Sequence, residues 1–185
     1  MLINLKVNNF AKIILVQRFN KVNYYTLRLN DDELSLFGQF RSVHINDNKD
    51  KLNHIMAWIK RIGNVYGAKE VYFRNEAESS DTSALPPDSI KWEPTYIEYN
   101  ENTGEEKITP NDLRLYTFRV NEHVVFLFDG DIKTANKAQD CDKVRPHFRL
   151  ANKLTKVLES AFLHDIKWNN NYTDIVFDKN LELNW

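Results

Sequence analysis

The stretch 112–134, DLRLYTFRVNEHVVFLFDGDIKT, decides the fold. Residues 113–120 alternate aliphatic or aromatic side chains with other types, and residues 124–128 form a continuous apolar run, both of which favour strands. Residues 121–123 predict the turn between them, and Asp129-Gly130 ends the second strand with the positive φ that glycine tolerates. A strand that is apolar on both faces is typical of the middle of a sheet. The stretch therefore predicts a central β-hairpin.

Length and composition are those of one globular domain, and we expect residues 1–185 to form it. Hydrophobic side chains make up 42% of the chain, which is enough for a substantial core. The only cysteine, Cys141, excludes an internal disulfide and favours a reducing compartment. Residues 1–7 do not resemble a signal peptide, and no apolar stretch reaches the length of a bilayer span. We therefore expect a soluble, cytoplasmic protein that has no membrane partner.

Charge is unevenly distributed along the chain, although the net charge is only −1. Residues 76–106 contain nine acids against one base, whereas residues 107–156 contain ten bases against six acids. A local positive field is able to bind phosphate even when the whole chain is near neutral. Residues 107–156 either provide such a field beside an acidic insert, or both segments are ordinary solvated surfaces.

Periodicity predicts most of the other elements. Residues 49–66 repeat apolar side chains every three or four positions and form the clearest helix, and a second helix is expected over 146–163. Residues 33–40 favour a short helix, and Asp31-Asp32 is either its N-cap or a loop before it. A strand over 36–45 is the competing interpretation. The remaining expectations are strands at 10–19, 24–30, 70–74 and 172–177, a hairpin at 95–109, a loop at 75–90 and a polar connection at 135–145. Together these elements predict an α+β fold in which two principal helices pack on a mainly antiparallel sheet.

Taken in order, these segments resemble the RelE/HigB-like toxins of type II toxin–antitoxin systems. The resemblance is carried by GAKEVYFR, which ends in Arg74, then by ALPP, the basic strand LRLYTFR, the apolar strand VVFLFDG and the segment IKT. It covers residues 24–160 and implies a RelE-like α+β core. The chain departs from the family in its greater length and near-neutral charge, with an extension strand at 1–23, an acidic loop and hairpin insert at 76–110 and a tail at 165–185.

The resemblance implies a metal-independent endoribonuclease that cuts mRNA, often on the ribosome, and that an antitoxin encoded nearby neutralises. It implies no cofactor and no metal. In this chemistry the ribose 2′-hydroxyl attacks the neighbouring phosphate, so the site needs a base, an acid and cations around the phosphorus. Arginine suits the last task because its planar fork matches two phosphate oxygens. The candidate catalytic residues are Arg114, Arg119, Lys133, Tyr116 and His147, and the candidate RNA-binding residues are Arg74, Lys137, Lys143, Arg145 and Arg149.

Each candidate also has a purely structural interpretation. Arg114 and Arg119 are an odd number of residues apart, so a regular strand places them on opposite faces unless a bulge intervenes. The basic residues are either phosphate ligands or partners of acids in the insert. Tyr116 is either a stacking or acid–base group or a core tyrosine with a satisfied hydroxyl. His147 is either an acid–base partner or an incidental histidine.

Other chemistries have little support in the sequence. One cysteine and dispersed histidines give no metal-ligand spacing, and neither a glycine-rich phosphate loop nor a nucleophile elbow is present. The acids that flank Cys141 predict a raised thiol pKa, which argues against a catalytic cysteine. The sequence leaves two functions open. The chain is either a toxin ribonuclease or a non-catalytic α+β module that binds protein or nucleic acid.

Overall fold

The structure, a computed structural model, describes residues 9–76 and 81–185. The sequence prediction that no signal peptide is present concerns residues outside these ranges, as does part of the loop expected over 75–90. The α-helices of the described ranges are Leu36–Asp47 (α1), Lys49–Arg61 (α2) and Arg145–His164 (α3). The strands are Phe10–Arg18 (β1), Asn23–Leu29 (β2), Arg74–Asn75 (β3), Thr82–Leu85 (β4), Ile97–Asn100 (β5), Glu105–Ile108 (β6), Leu115–Arg119 (β7), Val124–Leu127 (β8), Lys167–Trp168 (β9), Ile175–Val176 (β10) and Leu183–Asn184 (β11).

One large sheet organises the chain. Its strand order is β11-β1-β2-β8-β7-β4-β3, in which β2 and β8 run parallel and the other pairs run antiparallel. The hairpin predicted from 112–134 is formed by β7 and β8, and it lies in the middle of the sheet as expected. The predicted hairpin at 95–109 is also present as β5 and β6, which form a separate pair.

Helices cover both faces of this sheet. Leu115 and Leu127 of the central hairpin join a core with α1 and α2, whereas Phe126 and Phe128 join a core with α3. Because both faces are covered, the central strands are apolar on both sides. The α+β class and the mainly antiparallel sheet are confirmed. Two principal helices were predicted and three are present, because α1 also packs a full apolar face on the sheet.

Two short elements before β7 differ from the sequence prediction. A strand was expected over 70–74, but Glu70–Tyr72 forms a turn of 3-10 helix, and the Tyr72 ring stacks on Tyr66 with centroids 4.6 Å apart. The loop expected over 75–90 contains β4, which pairs with β7. Its residues are small and partly polar, and they pair through side-chain hydroxyls as well as through the backbone: Ser83 Oγ lies 2.8 Å from Thr117 Oγ1.

The start of α1 and the end of the chain also differ from the sequence prediction. Ser35, rather than Asp31-Asp32, caps α1, since its hydroxyl accepts a hydrogen bond from the Gly38 N–H at 3.2 Å. The competing strand over 36–45 is wrong. The strand expected over 172–177 is limited to β10, and β11 adds an edge to the large sheet beside β1.

The register of the central hairpin changes where β8 ends. Phe118 pairs with Phe126, whereas Leu113 pairs with Ile132. The segment from Phe126 to Ile132 is therefore one residue longer than the segment from Leu113 to Phe118 with which it pairs. An extra residue of this kind is a β-bulge, and it reverses which side chains face each side of the sheet.

The bulge lies opposite Tyr116. The Tyr116 N–H donates to the carbonyl of Asp129 at 3.0 Å, while the Phe128 N–H donates to the carbonyl of Tyr116 at 2.9 Å. Phe128 faces α3 before the bulge, and Asp129 contacts α3 after it. The bulge therefore turns Asp129 and Lys133 toward the side of the sheet that α3 covers.

Gly130 lies directly after the bulge and contacts the backbone of the neighbouring segment. A Cβ atom at this position would lie 1.8 Å from the carbonyl oxygen of Arg114. The sequence prediction of a positive φ at Asp129-Gly130 is wrong, because the positive-φ glycines among the described residues are Gly67 and Gly104. Glycine is required here by a close approach of two backbones.

We expect Gly130→Ala to lower the free energy of unfolding by about 3 kcal/mol or more, because backbone atoms have little room to move away from the added methyl group. Gly38→Ala is the matched control. Its Cβ would lie 3.3 Å from the Ser35 hydroxyl, which is able to rotate, and we expect a change of at most about 1 kcal/mol. Chemical denaturation of both variants measures the difference. Equal stability of the two variants would contradict the close approach.

Candidate functional site

Three of the predicted basic residues converge on one carboxylate. Glu76 Oε2 lies 2.6 Å from Lys133 Nζ, and Glu76 Oε1 lies 3.5 Å from Arg114 Nε and 4.0 Å from Arg74 Nε. The side chains of Glu76, Arg114 and Lys133 are only 3%, 7% and 8% exposed. We call Arg74, Arg114, Lys133 and Glu76 the cation cluster.

Backbone pairing beyond the bulge positions two members of the cluster. The Arg114 N–H donates to the carbonyl of Asp131 at 3.0 Å, and the Lys133 N–H donates to the carbonyl of Asp112 at 2.9 Å. These bonds extend the hairpin past the end of β8. Arg74 lies in the edge strand β3, with Glu76 two residues after it. The cluster therefore joins the central hairpin to one edge of the sheet.

Several polar atoms of this region have no hydrogen-bond partner among the described residues. Arg74 Nε, Arg114 Nε, Glu76 Oε1 and the Tyr116 hydroxyl are buried in this state. Such a group costs about 1–3 kcal/mol when it is left unpaired. Three of the four atoms are donors, so among the described residues the unpaired donors of this region outnumber its one unpaired carboxylate oxygen.

Burial and neighbouring charges shift the pKa values of two side chains of the site. Burial lowers the pKa of the Arg114 guanidinium, and the nearby positive charge of Arg74 lowers it further. Burial raises the pKa of the Tyr116 hydroxyl, and the charge of Glu76 adds to the increase. Tyr116 therefore keeps its proton at neutral pH and remains a hydrogen-bond donor.

A histidine–aspartate pair adjoins the cluster. His147, in the first turn of α3, has Nδ1 3.0 Å from Asp129 Oδ2. The next residue, Phe148, packs on the Tyr116 ring with centroids 5.6 Å apart. The hydrogen bond that His147 donates to Asp129 raises the pKa of His147, although partial burial acts in the opposite direction. A histidine in this state is able to exchange a proton near neutral pH.

Arg119 does not join the other candidates. Its guanidinium lies 2.7 Å from Glu70 Oε1 and donates to the carbonyl of Ala68 at 3.3 Å. The bulge adds its residue after β8 and leaves the alternation of β7 intact, so Arg114 and Arg119 occupy opposite faces as a regular strand requires. The other predicted RNA-binding residues are surface groups near α3: Lys137, Lys143 and Arg149 are exposed, and Arg145 pairs with Asp142.

Two acids of the site were not among the predicted site residues. Glu76 was counted only as one charge of the acidic insert, and Asp129 was interpreted as part of a turn. The alternative prediction, in which the basic residues pair with acids of the insert, matches the observed ion pairs. Arg74 contacts a second acid of the insert, because it also lies 2.7 Å from Asp88. No spacing in the sequence connects Glu76 to Lys133, because the contact depends on strand order and on the bulge.

Cys141 has an unexpected environment. Burial raises the pKa of its thiol, but the hydroxyl and N–H of Thr134, each 3.4 Å from Sγ, and the N–H groups of Val144 and Lys143 lower it to about 7. The sequence prediction of a raised pKa is wrong, because the hydrogen bonds that these groups donate to the sulfur stabilise the thiolate. The thiol is buried beside the last residues of the hairpin.

Comparison of the chain with protein-family models, with curated proteins and with solved structures found no match. Within residues 9–76 and 81–185, no group of three or more His, Cys, Asp or Glu side chains is arranged to hold a metal ion. The same ranges contain no helix that combines the length and the apolar character needed to cross a membrane. The resemblance to RelE/HigB-like toxins therefore rests on the sequence segments alone.

The His147–Asp129 pair makes stability depend on pH. The folded-state pKa of His147 is above its unfolded value of about 6.5, so the stabilisation is present below that value and is lost as the pH rises through the folded-state pKa. We expect Asp129→Asn to lower the melting temperature more at about pH 5.5 than at about pH 8.5. Thermal unfolding at both pH values measures this, and NMR titration of His147 reports its pKa. An equal loss at the two pH values would contradict the assignment.

Proposed function

We propose that this chain is a toxin endoribonuclease that cuts mRNA without a metal ion and that an antitoxin encoded nearby neutralises. The observation that carries the proposal is the convergence of three basic side chains with unpaired donors beside a histidine–aspartate pair. Positive charge and hydrogen-bond donors stabilise a phosphorane, and a histidine supplies the proton transfer. The resemblance of residues 24–160 to RelE/HigB-like toxins supports the same reaction.

The residues divide between two tasks in this proposal. Arg114, Lys133 and Arg74 hold the scissile phosphate, and the Tyr116 hydroxyl donates to one of its oxygens. The 2′-hydroxyl gives its proton to solvent water as its oxygen forms a bond to phosphorus and the bond from phosphorus to the 5′-oxygen breaks. His147, whose pKa is raised by Asp129, gives its proton to the departing 5′-oxygen.

The partners follow from the proposed reaction. The substrate is mRNA, free or on the ribosome, so the enzyme works in the cytoplasm. The exposed Lys137, Lys143 and Arg149 are suited to contact the RNA backbone on either side of the cut. The antitoxin is a protein that prevents this contact.

Burial of the cluster favours a second candidate function. Lys133 and Arg114 are less than a tenth exposed, and a buried group of ion pairs is also a purely structural feature of many proteins. In that case the chain is a non-catalytic module that binds protein or nucleic acid through its exposed basic residues.

Inducible expression in a bacterial host tests the proposal. We expect wild-type protein to arrest growth and to fragment mRNA. Lys133→Met removes one phosphate ligand and should slow cleavage about 100-fold or more, by analogy with the loss of one transition-state donor. Arg119→Met removes the same charge from the opposite face and should leave cleavage intact.

Circular dichroism and gel filtration of the purified variants establish that both are folded. Normal growth with intact mRNA under wild-type expression would contradict the ribonuclease and favour the binding module. Equal loss of cleavage in the two variants would place the site away from the cation cluster.

A further inference from the structure

Glu76 has an environment suited to an exchangeable anion. Its carboxylate is nearly fully buried and faces Lys133, Arg114 and Arg74, but only the contact with Lys133 is shorter than 3.0 Å. A second acid, Asp88, contacts Arg74 from the surface and is 81% exposed. Among residues 9–76 and 81–185, the buried part of the cluster therefore contains one carboxylate and three basic side chains.

The unpaired atoms show what Glu76 leaves unsatisfied. Its Oε1 lies between Arg114 Nε and Arg74 Nε, and none of these three atoms forms a hydrogen bond with a described residue. The Tyr116 hydroxyl is a further unpaired donor of the same region. A planar carboxylate offers two oxygens in one plane, whereas a phosphate group offers several oxygens around a tetrahedron. The arrangement of donors therefore matches a phosphate better than the side chain that is present.

We propose that the carboxylate of Glu76 occupies the place of a phosphate group. A phosphate group, either of RNA or of a small anion such as pyrophosphate, binds by displacing this carboxylate. This inference rests on the proposed function and deepens it, because it names the contact that holds the ribonuclease site closed before RNA binds. Exchange of one anion for another keeps the buried cations paired at both stages, which avoids the penalty of an uncompensated buried charge.

The position of Glu76 in the fold makes this displacement feasible. Glu76 follows β3, which is two residues long and lies at the edge of the sheet. β3 is paired with β4 through Arg74 with Ala84 and Asn75 with Ser83. Glu76 lies beyond the last paired residue of β3, so it is able to move away while Arg74 stays paired with Ala84. Arg114 and Lys133, in contrast, belong to the extended central hairpin and stay in position when Glu76 leaves.

Binding of inorganic pyrophosphate to the purified full chain tests the inference. We expect Glu76→Gln to lower the Kd for pyrophosphate by about tenfold or more, because the amide has the same shape but no longer competes as an anion. Glu70→Gln is the matched control, since it removes the same charge from the ion pair with Arg119 on the opposite face. Its Kd should equal that of the wild type. The double variant Glu76→Gln, Lys133→Met should lose the gain. Isothermal titration calorimetry measures all four proteins.

An equal Kd for Glu76→Gln and Glu70→Gln, with both variants folded, would overturn the inference. If Glu76→Gln does not fold, Glu76→Asp decides, because the shorter side chain draws the carboxylate away from Lys133 but keeps the charge. Its Kd should also fall below that of the wild type, and an unchanged value would overturn the inference. The two proposals fail separately. Tighter pyrophosphate binding without mRNA cleavage contradicts only the ribonuclease, whereas mRNA cleavage with unchanged pyrophosphate binding contradicts only the role of Glu76.

Discussion

The one-residue bulge at the end of β8 is the constraint on which the site depends. In a regular strand, Asp129 and Lys133 would continue the alternation of Leu127 and face the core of α1 and α2. The bulge turns them to the other side of the sheet, where Asp129 meets α3 and Lys133 meets Glu76. The close approach of Gly130 to the carbonyl of Arg114 is part of the same geometry, since no side chain fits between the two backbones. A local change of register thus converts a structural hairpin into a charged site.

Burial makes the cation cluster a weak source of stability. Removing charges from water is expensive, and buried ion pairs stabilise a fold no more than well-packed apolar side chains of similar volume. Among the described residues, Arg114 Nε, Arg74 Nε and the Tyr116 hydroxyl have no hydrogen-bond partner, so the hydrogen bonds that normally compensate burial are incomplete there. This incomplete pairing supports the proposal that the cluster binds the phosphate of RNA.

Most of the architecture could be predicted from local patterns, whereas the site could not. The strand-forming residues of 24–30 and 113–120 were sufficient to predict β2 and β7, which are buried on both faces. The period of 49–66 reflects burial of α2 on one side. β4 was missed because its small, partly polar residues pair by hydroxyl groups, and 70–74 was misassigned because stacking of Tyr72 on Tyr66 overrides the strand pattern. Arg114, Arg119 and Lys133 were expected to form one catalytic site, with Arg74 as an RNA-binding residue. Arg114, Lys133 and Arg74 do meet, whereas Arg119 lies on the opposite face beside Glu70. Their contact with Glu76 depends on strand order and on the bulge, and neither is encoded in the spacing of these residues.

The salt dependence of RNA binding tests the central claim most directly. A 2′-O-methyl oligoribonucleotide serves as the probe, because it lacks the attacking hydroxyl and stays intact during the measurement. Each phosphate contact with a single strand contributes about 0.7 to the slope of log K against log salt. The account predicts that Lys133→Met reduces this slope by about that amount, while Arg119→Met leaves it unchanged. Identical slopes for the wild type and Lys133→Met would contradict the assignment of the cation cluster as a phosphate site.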